Sequence, residues 1–103
     1  MTFLVLTALA SGPQHGYAIL SDVTAISEGR VRLRAGTLYS ALDRLRIDGL
    51  VEVDREEIVG GRLRRYYRLT GEGITVLAAE AQRVQSNAAT AIARLGLTGG
   101  AAG

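Results

Sequence analysis

The segment from Ala35 to Gly49, AGTLYSALDRLRIDG, constrains the fold more than any other part of the chain. Its apolar residues recur at steps of three and four, which places them on one face of an α-helix. Gly49 is expected to end this helix, because glycine readily adopts the left-handed conformation that follows many helix C-termini. The apolar face consists of Leu38, Ala41, Leu42 and Leu45.

The opposite side of the same helix carries hydrogen-bonding groups. On a helical wheel Thr37, Ser40 and Arg44 fall together, and Tyr39 and Asp43 lie on the flank. A helix that packs its leucines on a core therefore presents hydroxyls and a guanidinium to solvent. This pattern predicts a helix that enters a groove of a partner.

A β-hairpin is predicted directly after this helix. The segments Leu50–Arg55 and Leu63–Thr70 alternate between apolar and polar residues, and Gly60 and Gly61 lie between them. We expect Val51 and Val53 to face inward, and Leu63, Tyr67 and Leu69 to share one face of the second strand. The tip of the hairpin would carry Arg62 and Arg64.

Two further helices are expected before residue 30. Met1–Ala10 is apolar on nearly all sides, which is typical of a buried helix, and SGP at 11–13 breaks it. After a turn at 14–16, a second helix is predicted for Tyr17–Glu28, with Gly29 as its stop. The inner side of that helix would consist of Ile19, Val23 and Ile26.

The segment RVRLR at 30–34 alternates arginine with valine and leucine. A period of two indicates either a short edge strand with one charged face or an extended lead-in to the next helix.

The basic residues are concentrated in the middle of the chain. All 12 are arginines, and ten of them lie between residues 30 and 68, where six acidic residues leave a local charge of 10 − 6 = +4. The whole chain carries only +2. Clustered arginine favours a partner that carries phosphates, but solvated surface cations would give the same composition.

Length and composition exclude several other classes. A chain of 103 residues has room for one domain with a thin core, which a partner subunit would supplement. Without cysteine there is no disulfide framework or thiolate site, and a single histidine, His15, predicts no metal site, no cofactor and no enzyme. The apolar run near the start is too short to span a bilayer, so we expect a soluble cytoplasmic protein.

His15 and Tyr17 lie where the second helix begins. We expect His15 to pack or cap in the turn. Tyr17 either contacts an anion such as a phosphate at the helix N-terminus or packs between helices.

A last helix is predicted for residues 71–96, because apolar and small residues recur there at alternating steps of three and four. Such a stripe packs either against a second subunit, which we favour, or within the monomer. Residues 97–103 are expected to be a disordered tail. The stripe consists of Ile74, Leu77, Ala81, Val84, Ala88, Ala91 and Leu95.

The predicted element order is that of a winged helix-turn-helix domain over residues 1–70, mainly α with a small β-hairpin, followed by a dimerisation helix. The chain also resembles the PadR family of transcriptional regulators. The matching stretches are GPQHGYAI at 12–19, RVRLRAGTLYSALDRLRIDGLVE at 30–52 and GGRLRRYYRLTGEG at 60–73.

This resemblance implies a homodimeric DNA-binding protein, usually a repressor, that acts on an inverted-repeat operator. By motif, Tyr17, Thr37 and Tyr39 match positions close to DNA phosphates, while Ser40 and Arg44 lie on the groove-facing side. The chain departs from the family pattern at Ser40 and Leu63, where proline is common. The wing, which is the predicted β-hairpin, would supply Arg62, Arg64 and Arg65.

Two further expectations concern partners. The family resemblance implies a small hydrophobic effector, for which we expect a pocket between the first and last helices, lined by Phe3, Leu6 and Leu77. The alternative to DNA binding is a winged-helix module whose arginines meet an acidic protein partner.

Overall fold

The computed structural model describes residues 1–97, which form four helices and a three-stranded antiparallel sheet. This α+β arrangement confirms the predicted fold class. Residues 98–103, most of the predicted disordered tail, lie outside the described range. The elements are α1 (Thr2–Leu9), β1 (Gln14–His15), α2 (Gly16–Ile26), α3 (Ala35–Ile47), β2 (Val51–Val59), β3 (Arg62–Leu69) and α4 (Gly71–Leu95).

The core lies where α1, α2 and α3 pack on the sheet. The leucine stripe of α3 was predicted correctly, since Leu38, Leu42 and Leu45 are buried. Ile26 was expected to be buried but is 39% exposed, because it ends α2 where the chain turns into a loop. The other buried side chains are Val5, Leu6, Ala8, Leu9, Ile19, Val23, Val51 and Tyr67.

The sheet differs from the prediction in two places. Residues 14–16 were expected to be only a turn, but Gln14 and His15 form strand β1 against Tyr67 and Tyr66 of β3. The strand β2 continues to Val59, well beyond its predicted end. Both differences arise because pairing with β3, which is distant in sequence, decides where these strands lie.

A β-bulge at Asp54 interrupts the register of the hairpin. Val53 pairs with Tyr67 and Arg55 pairs with Tyr66, so Asp54 has no partner of its own on β3. A bulge of this kind bends the strand and increases its twist. The predicted glycine turn is confirmed, since Gly60 and Gly61 have φ values of +59° and +77°.

Residues 31–34 form no strand, so the extended lead-in is the correct alternative for the RVRLR segment. Val31 and Leu33 pack against the core, and the arginines that alternate with them, Arg30, Arg32 and Arg34, are exposed.

The start of α4 is fastened to the end of α3. The Thr70 hydroxyl donates to the carbonyl of Gly49 at 2.6 Å and accepts a hydrogen bond from the Gly73 amide at 3.0 Å. A β-carbon on Gly73 would collide with the carbonyl oxygen of Leu50, so only glycine permits this approach. These contacts set the direction in which α4 leaves the rest of the chain.

Beyond its first turns, α4 extends away from the core. Leu77 packs partly against the core, but every residue from Ala81 to Leu95 is exposed. The molecule is accordingly elongated, at 62 × 27 × 20 Å. The alternative in which the predicted stripe packs within the monomer is therefore wrong from Ala81 onward.

Within the described part of the chain, no helix has both the length and the apolar character needed to cross a membrane.

Candidate nucleic-acid interface

The outer face of α3 is the first part of the candidate interface. Its buried leucines hold the helix against the core, which leaves Thr37, Ser40 and Arg44 exposed as predicted. These three residues line one open groove beside the start of α1. Ile47, the last residue of this helix, is 82% exposed.

Arg44 has no carboxylate partner among residues 1–97. Asp48, four residues further along the helix, is close enough in sequence to pair with this guanidinium, but the structure does not form that pair. The ion pair present on α3 instead joins Arg46 and Asp43 at 3.8 Å. The guanidinium of Arg44 is therefore available to a partner.

A cleft between the start of α2, α3 and the wing forms the second part of the interface. We call it the tyrosine–arginine cleft, and its volume is about 230 Å³. It brings together five of the residues that the sequence predicts to contact DNA. The other three, Thr37, Ser40 and Arg44, line the groove beside the start of α1. Those five residues are Tyr17, Tyr39, Arg62, Arg64 and Arg65.

The two tyrosines occupy different environments in this cleft. Tyr17, the second residue of α2, is 72% exposed, so the alternative of packing between helices is wrong. The Tyr39 hydroxyl lies so close to Gly16 that a β-carbon there would collide with it. Burial raises the pKa of Tyr39 above its ordinary value, with Tyr67 as a second cause. Its hydroxyl therefore remains a hydrogen-bond donor at neutral pH.

His15 forms one wall of the cleft and has the capping role predicted for it. Its Nδ1 accepts a hydrogen bond from the Ala18 amide at 3.4 Å, at the start of α2. The ring contacts Tyr66 edge-on, with 5.4 Å between centroids. Burial, followed by the positive charge of Arg64, lowers the pKa of His15. The neutral imidazole that can accept this bond is thus the favoured form.

Carboxylates on β2 neutralise part of the wing. Arg65 lies 3.4 Å from Glu56, Arg68 lies 2.8 Å from Glu52, and Arg55 contacts both Asp54 and Glu57. In contrast, Arg62 and Arg64 form no ion pair with any residue that the structure describes. The two arginines at the tip are therefore the wing cations most available to an anion.

Sequence reasoning missed a stack of three side chains behind the cleft. The guanidinium of Arg55 lies 3.9 Å from the centroid of the Tyr66 ring, and His15 contacts the same ring. The stack joins β1, β3 and β2, so it supports the wing beside the start of α2. No local pattern signals it, because these residues come together only through the pairing of the strands.

The expected effector pocket is divided in two. Phe3 and Leu6 line a cavity of about 220 Å³ between α1 and α4, together with Val76 and Glu80. Leu77 instead lines a separate groove of about 410 Å³, near the end of α1 and the start of α4. The three residues proposed for one pocket therefore do not share it, because α4 turns Leu77 toward the sheet.

The interface as a whole has the chemistry of an anion-binding surface. Hydroxyl and guanidinium groups hydrogen-bond phosphate oxygens, and such contacts fix the position of a protein on a duplex. The exposed face of α3 adds groups that can reach base edges in a major groove.

Comparison with known proteins gives matches over most of the chain. The model of the Transcriptional regulator PadR-like family matches residues 5–79. An uncharacterized 37.1 kDa protein in transposon TN4556 of Streptomyces fradiae is 45% identical over 78 residues, which are 76% of this chain and 21% of that protein. Transcriptional regulator Rv3488 of Mycobacterium tuberculosis is 37% identical over 73 residues, which are 71% of this chain and 64% of the relative. The chain thus spans less than two thirds of the length of either relative.

The crystal structure of Bacillus subtilis PadR in complex with operator DNA has a similar fold. The TM-score is 0.69 at 23% sequence identity, over 78% of this chain and 45% of that one. At this identity the likeness concerns the fold alone.

Proposed function

This chain belongs to the PadR-like family of transcriptional regulators, and we propose that it binds operator DNA as a homodimer and represses transcription. The observation that carries the proposal is the position of the tyrosine–arginine cleft beside the exposed face of α3. The cleft offers donors to phosphates, while α3 offers Ser40 and Arg44 to bases. One surface thus combines the contacts that position a protein on DNA with those that specify sequence.

Arg44 is the proposed base-reading residue. A guanidinium can donate two hydrogen bonds to O6 and N7 of guanine in the major groove, and Arg44 has no competing partner in residues 1–97. Thr37, Tyr17 and Tyr39 contact phosphates in this proposal. Arg62, Arg64 and Arg65 follow the backbone or enter the minor groove, where the negative potential is enhanced when the groove is narrow.

The homodimer is supported by the exposed stripe of α4. Ile74 is 59% exposed, Val84 44% and Leu95 70%, although they lie on one helix. An apolar stripe of this spacing is stabilised by packing against another helix. Two α3 helices about 34 Å apart would meet successive major grooves, which requires an inverted repeat with half-sites about one helical turn apart.

We further propose that a small hydrophobic effector releases the DNA. The cavity lined by Phe3, Leu6 and Val76 lies between α1 and α4, so its occupant would contact both the DNA-binding part and the dimerisation helix. A ligand that dissociates DNA and loses affinity for a Phe3→Ala variant would support this proposal. A ligand bound equally by the variant would contradict it.

Fluorescence anisotropy with the intergenic DNA upstream of the gene tests the main proposal. We expect tighter binding to this duplex than to a scrambled one, with affinity falling steeply as salt is added. Arg44→Ala should reduce the ratio of the two affinities by roughly tenfold, since one bidentate base contact contributes about 1–3 kcal/mol of discrimination. Arg94→Ala, which removes the same charge from α4, should leave the ratio unchanged.

Two outcomes would contradict the proposal. Equal, weak binding to both duplexes would exclude sequence-specific regulation and favour an acidic protein partner. A monomer in sedimentation that still binds a short duplex tightly would exclude the homodimer.

A further inference from the structure

Three arginines outside the candidate interface lie between α2 and α3. Arg30, Arg32 and Arg34 are exposed, while Val31 and Leu33 between them pack against the core. The alternation therefore turns all three guanidinium groups away from the core. We call these three residues the arginine edge.

The backbone of the arginine edge is held at both ends. At its start, the Ser27 hydroxyl accepts a hydrogen bond from the Val31 amide at 3.0 Å. At its end, the carbonyl of Arg34 accepts the first hydrogen bond of α3 from Leu38 at 3.0 Å. The edge is thus fixed in position relative to α3 before any partner binds, which reduces the entropic cost of binding.

The charge of the arginine edge is not neutralised internally. Within residues 1–97, none of its three arginines forms an ion pair, whereas Arg55, Arg65 and Arg68 on the wing all do. Three uncompensated cations within five residues produce a concentrated positive potential. Such a patch fits a partner with closely repeated negative charges.

We propose that the arginine edge binds the DNA phosphate backbone, at a site separate from the tyrosine–arginine cleft. The inference rests on the proposed DNA-binding function and adds a second backbone contact, at the N-terminal end of α3. Alternate residues of an extended chain are about 6.6 Å apart, so the three guanidinium groups can each meet a different phosphate. These contacts would increase affinity for every sequence without discriminating among bases.

Two observations favour DNA over an acidic protein. The edge continues directly into α3, since Arg34 is the residue immediately before the helix and Thr37 lies in its first turn. The two apolar residues of the segment face the core, so the edge lacks the exposed apolar centre of a typical protein interface.

Paired variants of the intact chain test this inference. Arg30→Gln with Arg32→Gln removes two charges from the edge, and Arg83→Gln with Arg94→Gln removes two charges from α4. Arg34 is retained because it immediately precedes α3 and its carbonyl accepts the first hydrogen bond of that helix. Anisotropy titrations over a range of salt concentrations would use the upstream intergenic duplex and a scrambled duplex, with circular dichroism and sedimentation to verify fold and assembly.

We expect the edge variant to bind both duplexes at least about tenfold more weakly, with an unchanged ratio between them. The slope of log affinity against log salt should become shallower by about 0.9 for each phosphate that the variant no longer neutralises. The α4 variant should retain the wild-type slope.

The outcomes separate this inference from the function on which it rests. If the wild-type protein does not bind the duplexes in a salt-dependent manner, the proposed function and the inference both fail. If the wild-type protein binds specifically but the edge variant keeps its slope and affinity, the inference alone is wrong. An equal change in both double variants would show a general charge effect and would also overturn it.

Discussion

The winged-helix body, residues 1–70, and the helix α4 use apolar residues in opposite ways. Every buried hydrophobic side chain of the described chain lies in the body, between Val5 and Tyr67. In α4 the buried residue is Gly73, which has no side chain, and the apolar stripe is exposed from Ala81 onward. The body thus completes a core within one chain, whereas the stripe of α4 stays exposed, as the proposed dimer would require.

This contrast also separates two contributions to the proposed activity. In the proposal, the body contains the groups that contact DNA, and α4 determines whether two such bodies act together. Linking two binding modules can raise the overall affinity by about 10² to 10⁴ without any new contact. A substitution in α4 can therefore abolish tight binding without altering the interface.

The largest expected effect comes from Val84→Glu in the stripe. A charge there would oppose packing of α4 against a second copy, so we expect monomers in sedimentation and at least about a 100-fold loss of operator affinity. Circular dichroism should show a folded body. Ser86→Glu, which places the same charge on the opposite face of α4, should remain dimeric. A dimeric Val84→Glu protein would show that the stripe is not the interface.

Gly73→Ala tests the junction between the two regions. Its methyl group would meet the Leu50 carbonyl, a backbone atom that cannot rotate aside. We expect a loss of about 1–3 kcal/mol in the free energy of unfolding, the usual cost of overpacking. Gly71→Ala is the matched control, because nothing lies near its added carbon. Equal stability of the two variants in urea denaturation would mean that α4 is not fastened at Gly73.

Glu56→Gln tests electrostatic control within the body. Removal of this carboxylate would release Arg65, which lies 3.4 Å away, for contact with phosphates. Because exposed ion pairs contribute at most about 1 kcal/mol, affinity for any duplex should rise by only about two- to fivefold. Glu80→Gln, which releases Arg83 on α4, should have no such effect. Weaker binding by Glu56→Gln would show that the pair positions Arg65 productively.

The smallest expected effect is a pH dependence that arises from His15. Its pKa in the folded chain is below the ordinary 6.5, so the unfolded chain binds a proton more readily. Stability should therefore be complete above about pH 7 and decline as pH falls through the lowered pKa of the folded chain. His15→Asn keeps a capping oxygen but does not titrate, so its Tm should vary less between about pH 7 and pH 5. An identical pH profile for both proteins would exclude His15 as the cause.

Local patterns in the sequence predicted the helices and the turn of the wing. The leucine spacing of α3 and the glycine pair at 60–61 are local signals, and the structure confirms both. The resemblance to the PadR family correctly indicated the membership and the fold. The dimer and the roles of individual DNA-binding residues stay predictions.

Features that depend on distant residues were not predictable in this way. The strand β1 exists only because Gln14 and His15 meet β3, some fifty residues later. Asp54 gives no sign of a bulge, since the hairpin register as a whole creates it.

The absent side chain at Gly73 has a consequence for the operator. In the proposed dimer, the angle at which α4 leaves each body determines how far apart the two α3 helices are held. In that dimer, the absence of a methyl group at Gly73, which permits its close approach to Leu50, would therefore help to set the spacing of half-sites on the DNA.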